Sequence, residues 1–164
     1  MAKNGKGQQG KKNQEKEEIS WVFGEFDSAE EINQAARGLM QEGDDQMLRK
    51  LAEENGLSEE AEMYISGETE ELCDPVSAAL GKLEIERAHE NNPLIDDVAD
   101  YLSANCDDIQ FAKAVRKKGK RIKKAADRIA KEAMKHTATI AGRSCHYCGP
   151  MRGYQLVREY YIKG

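Results

Sequence analysis

Apolar positions recur at helical spacing along most of the chain, and capping residues mark where each run begins and ends. Ile32, Ala35, Ala36 and Leu39 lie three and four apart, the spacing of one helix face. Ser28 and Glu31 stand before them as a capping box, and Gly43 supplies the stop. Asp44 then caps a second run with Met47, Leu48, Leu51 and Ala52 inward, closed by Asn55-Gly56. Ser58 opens a third, short run through Ala61, Met63, Tyr64 and Ile65, which ends at Gly67. Before all of these, Ile19 to Phe26 holds the only tryptophan, Trp21, and reads either as a short strand or as an extended piece laid on helices.

Asp74-Pro75 places a cap before a proline at the first helical position. The helix it predicts runs to about Glu90, with Val76, Ala79, Leu80, Leu83 and Ala88 inward. Asn91-Asn92-Pro93 repeats the device and marks a boundary between two halves. Leu94, Ile95, Val98, Ala99, Tyr101 and Leu102 predict the next helix, and Asp107 the cap of another around Ile109 to Val115. Gly119 interrupts. A longer helix follows, burying Ile122, Ala125, Ala126, Ile129 and Ala133. Thr137 to Ile140 is the best strand candidate. The loop RSCHYCGP leads to Pro150 and a last helix with Tyr154, Leu156, Val157, Tyr160 and Tyr161.

The pattern predicts an all-α protein with two small helical subdomains, residues 19–90 and 91–164, and at most one short strand pair. Residues 1–18, rich in Gly, Lys, Gln and Asn with nothing to bury, read as a disordered basic tail. Composition agrees: Leu, Ala, Glu and Lys dominate, and aromatic residues are only 6%. No apolar run approaches the roughly 20 residues of a membrane span, and the start lacks a signal peptide's apolar centre. A cytoplasmic protein is expected, with Cys73, Cys106, Cys145 and Cys148 outside any disulfide framework.

Charge changes the picture most. The formal net charge of −5 conceals a dipolar chain. Residues 17–90 hold 21 acidic residues against five basic ones, whereas Lys113 to Lys135 holds eleven basic residues against Asp127 and Glu132. Separation on this scale concerns partners rather than fold. Lys117, Lys118, Lys120, Arg121, Lys123, Lys124, Arg128 and Lys131 are the candidate contacts to a partner or a nucleic acid. They either follow a phosphate backbone or form a solvated face that pairs with the acidic half. The acidic run from Glu53 to Asp74 has two readings as well: phosphate mimicry in a partner's positive groove, or plain solubilisation of short helices.

No foothold for catalysis is legible: there is no phosphate-binding glycine loop, nucleophile elbow or His-Glu-x-x-His, and the protein is expected not to be an enzyme. Cys145-His-Tyr-Cys148 has the spacing of a zinc knuckle or a redox pair. Four ligands are not evident from the local sequence, so two reduced cysteines without metal, and no cofactor, are expected.

The C-terminal half carries a resemblance. NNPLIDDVADYLSANCDDIQFAKAV, then KKGKRIKKAADRIAKEAMKH, a short polar turn and GYQLVREYYI together resemble the PcfK-like proteins, over about Asn91 to Ile162. These are small helical proteins of conjugative plasmids, phages and related mobile elements. Some members are anti-CRISPR proteins that inhibit Cas9-type effectors. The resemblance implies a protein of the bacterial host's cytoplasm that binds a Cas9-type nuclease with its guide RNA, with DNA or RNA as further partners, and inhibits target DNA binding or cleavage. The alternative is a nucleic-acid-binding accessory of conjugative plasmid transfer. The Cys145–Pro150 segment stands where the family pattern has a plain turn.

Overall fold

The computed structural model describes residues 21–163, and the tail expected at residues 1–18 lies outside them. The fold is all-α with a single strand pair. In chain order the elements are α1 (Ala29–Glu42), α2 (Asp45–Glu54), α3 (Ser58–Ser66), α4 (Pro75–His89), α5 (Pro93–Asn105), α6 (Ile109–Arg116), α7 (Ile122–Ala133), β1 (Thr137–Ile140), β2 (Arg143–His146) and α8 (Pro150–Lys163). Among the described residues no helix is long and apolar enough to cross a membrane.

Most ends follow the local chemistry. Ser28 Oγ accepts from Glu31 N–H at 3.2 Å, although the Glu31 carboxylate turns to Asp27 N–H rather than to the cap itself. Asp44 accepts from Met47 N–H, and Asp74 and Ser77 form a complete reciprocal box at the start of α4. One cap differs from expectation. Asp108, not Asp107, caps α6 by accepting from Gln110 and Phe111 N–H, while Asp107 accepts from Asp108 N–H. The segment expected to be a loop after β1 is half strand: Arg143–His146 pairs antiparallel with Thr137–Ile140 across a turn at Ala141-Gly142, where both residues have positive φ.

Two cores form. Ile32, Ala36, Leu48, Leu51, Leu57, Ala61 and Tyr64 centre the first, between α1, α2 and α3. Val98, Leu102, Phe111, Val115, Ile122, Val157 and Tyr161 centre the second, between α5, α6, α7 and α8. Helix α4 belongs to both: Ala78 packs into the first core, Ala79 and Leu83 into the second. Leu80 and Ala88, expected inward, face out instead, and the stripe passes to Ala78, Gly81 and Lys82. Gly81 explains this rotation. Its backbone lies directly against Asn55-Gly56, so that a Cβ at Gly81 or Gly56 would overlap the other's main chain.

Candidate polyanion interface

The basic block enters the structure in two parts with opposite fates. Its first part, residues 117–121 with Arg116 at the end of α6, forms the junction between α6 and α7, and it is held from inside. Helix α4 supplies a fitting at each side of the junction. The Lys82 ammonium donates to Val115 O at 3.0 Å and Lys117 O at 2.8 Å, satisfying carbonyls at the C-terminus of α6. One turn on, Glu86 Oε2 accepts from Ile122 N–H at 2.7 Å, capping α7, which has no side-chain cap from Arg121. Burial pushes the Lys82 ammonium down to about 8, against the pull of Glu86 and Glu25. The same burial raises the Glu86 carboxyl despite Lys82 beside it.

The extended segment 21–27 closes the junction from outside. The second of the two sequence readings of this segment therefore describes it: no strand forms, and the piece lies on helices. Glu54, expected on the surface, is buried and accepts from Val22 and Phe23 N–H at 2.8 and 3.2 Å, while Phe23 and Phe26 pack on the first core. Glu25 accepts from Gly119 N–H at 3.1 Å and pairs with Arg121, and Asp27 accepts from Lys118 N–H at 3.0 Å. Burial alone would raise the Glu25 carboxyl. The hydrogen bonds from Arg121 and Gly119 outweigh it and hold the group below its ordinary range.

Two of the eight candidate cations are therefore structural. Lys120 is 9% exposed, donates to Tyr160 O at 2.7 Å, and lies over the Tyr160 ring at 4.6 Å. Arg121 is committed to Glu25, and its N–H donates to Tyr160 Oη at 3.0 Å. Arg116, outside the candidate set, is buried too and donates to Asn55 Oδ1 at 2.7 Å. Lys117 and Lys118 keep exposed side chains, without an ion pair among the described residues.

The second part faces solvent. On α7, Ile122, Ala125 and Ala126 are buried and Ile129 is half-buried, so Lys124, Arg128 and Lys131 share the opposite side at i, i+4 and i+7. Arg128 lies 5.0 Å from the centroid of the Tyr160 ring, which fixes the middle of the row while its outer face stays in water. Lys124 reaches Gly119 O at 3.3 Å, and Lys131 has no partner among the described residues. Lys123, on the flank, comes within 4.0 Å of Glu90. The row spans about two turns of one rigid element, an arrangement suited to following a phosphate backbone.

The acidic surface lies elsewhere. Glu53, Glu59, Glu62, Glu68, Glu70, Glu71 and Asp74 are exposed on α2, α3 and the turn after α3. Arg49 pairs with Glu62 and Arg37 with Glu71, so this face is partly neutralised locally.

The cysteines do not converge. Cys73 is buried in the first core and Cys106 in the second. Cys145 on β2 donates its thiol to Ala138 O across the hairpin at 3.4 Å, and Cys148 lies beyond the strand. Among the described residues no three His, Cys, Asp or Glu side chains group as a metal site would need. Compared with known proteins, the chain matches no family model, no curated protein and no solved structure.

Proposed function

We propose that this protein is a non-enzymatic antagonist of a Cas9-type RNA-guided nuclease, binding the effector with its guide RNA and blocking target DNA binding or cleavage. The observation that carries the reading is the solvated row Lys124, Arg128 and Lys131 on α7, anchored against α8 and separated from the acidic face of α2 and α3. The resemblance of residues 91–162 to PcfK-like proteins selects the partner. Effectors of this kind hold the guide–target duplex in a positively charged channel and read a short adjacent motif with basic side chains. A basic row engages the guide's phosphates or an acidic face of the nuclease. Lys117 and Lys118, whose side chains stay exposed beside the covered junction, extend that contact.

The test is capture. Tagged protein is mixed with nuclease alone, nuclease with guide RNA, and free duplex DNA. Retention of the nuclease–guide complex supports antagonism. Retention of duplex alone supports the accessory of plasmid transfer instead. Retention of none removes both.

A further inference from the structure

The β1–β2 hairpin projects from the molecule: no residue from Met134 to Met151 belongs to either core. A two-stranded hairpin is marginal by itself, so its base must be held by something other than a hydrophobic face. One carboxylate does this. Glu132, near the end of α7, takes Lys135 Nζ at 3.1 Å and Arg152 Nε of α8 at 3.4 Å, with His136 Nε2 at 3.6 Å. The end of α7, the residues leading into β1 and the start of α8 thus meet at a single acid. From Arg128 to Arg158 the chain carries six Lys and Arg against only this one carboxylate, and the ground around the hairpin is strongly positive.

An aromatic pair stands on that ground. Tyr147 is 53% exposed, and its N–H donates to His136 O at 3.3 Å, adding one pair to the ladder beyond Thr137–His146. Its ring lies 5.9 Å from that of His136. Alternation places both rings on the hairpin face that carries Ala138 and Cys145, and further out Ile140 and Arg143. Scattered exposed apolar side chains need no explanation. A ring pair positioned by backbone pairing and open to water, with the exposed Arg143 further along the same hairpin face, does. Aromatic faces for bases and flanking cations for phosphates are the two elements by which proteins hold a single nucleic-acid strand. A duplex hides its base faces and would meet only the cations.

We propose that this hairpin face binds single-stranded nucleic acid, with a base stacked on Tyr147 and His136 and a phosphate further along the strand held by Arg143. The proposal adds a second surface to the α7 row and needs no nuclease. Its failure would leave the capture result standing, and the reverse.

Fluorescence anisotropy with the full chain tests it, using labelled oligo-U and oligo-dT of twelve nucleotides and a duplex of equal length at 50 mM salt. The expected result is binding of one or both single strands, with the two arms telling which is preferred, and weaker binding of the duplex. Tyr147→Ala should lower single-strand affinity about tenfold, as loss of one stacked base does, and Tyr147→Phe should restore it. Arg143→Ala should reduce the salt dependence. Tyr147 lies outside both cores, so circular dichroism should be unchanged in each variant. Equal or tighter duplex binding, or unchanged affinity in Tyr147→Ala, would overturn the proposal. No binding of either strand would also overturn it and leave the face to a protein partner.

Discussion

The Arg121 guanidinium donates to both carboxylate oxygens of Glu25, 96 positions earlier in the chain, with Nη2 to Oε2 at 3.0 Å. This fork joins the extended segment before α1 to the start of α7. It also removes Arg121 from the cations open to a partner. Replacing Glu25 with Ala should cost about 1–2 kcal/mol of stability in urea unfolding. That is less than for a fully buried pair, because the Arg121 side chain is 36% exposed. An unchanged midpoint would mean that the segment is merely laid against the junction.

The α7 row predicts a separation of roles. Reversing Lys117, Lys124 and Lys131 to Glu should leave helicity and the unfolding midpoint nearly unchanged and weaken capture of the nuclease–guide complex at least tenfold. Each lost phosphate contact should reduce the log–log salt slope by about 0.9 if the contact is to duplex. Lys120→Glu, by contrast, should destabilise the fold itself, since it puts a carboxylate against Tyr160 O. Equal loss of folding in both variants would contradict the division.

Lys82 gives stability a pH dependence of definite sign. Its folded value is near 8, against an ordinary 10.5, with Glu25, Glu86, Arg116 and Arg121 around it. Between these values the unfolded chain binds more protons, so stability contributed by Lys82 rises with pH. Buried thiols act oppositely above pH 9, because burial pushes Cys73 up to about 12 and Cys106 to about 11. Comparing the protein with Lys82→Met isolates the lysine: the stability difference should shift in favour of the lysine form from pH 7 to pH 9. A difference independent of pH would show that Lys82 titrates normally.

Changing Cys145 and Cys148 together to Ser should move the melting temperature by no more than about 2 °C, and purified protein should hold no stoichiometric zinc. The removal of a ligand to structural zinc forfeits binding energy on the order of 10 kcal/mol, so collapse of the double variant with one zinc per chain would make the hairpin a metal clip.

Helix existence was legible because stops and caps are local. Gly43, Gly67, Asp44, Asp74-Pro75 and Asn92-Pro93 each act within four residues, and all stand where the sequence places them. The face of α4 was not legible from periodicity, since the helix is sandwiched: Ala78 serves one core and Ala79 the other. Gly81 in mid-helix was the available signal, a glycine tolerated there for close backbone approach. The split of the basic block was hidden for a different reason. Lysines over a ring and lysines in water look alike in a sequence, and the partners of Lys120 and Arg121 lie 40 and 96 residues away. The strand at Arg143–His146 was masked by its polar residues, although Ala141-Gly142 marked the turn.

Antagonism of an RNA-guided nuclease shows in target cleavage. Several Cas9-type orthologs loaded with guide are incubated with a molar excess of the protein, and cleavage of matched duplex is followed with time. At least one ortholog should be inhibited by the native protein, and the Lys117, Lys124 and Lys131 triple reversal should relieve the inhibition. Unchanged cleavage in every ortholog, with no co-elution of protein and nuclease, would contradict it.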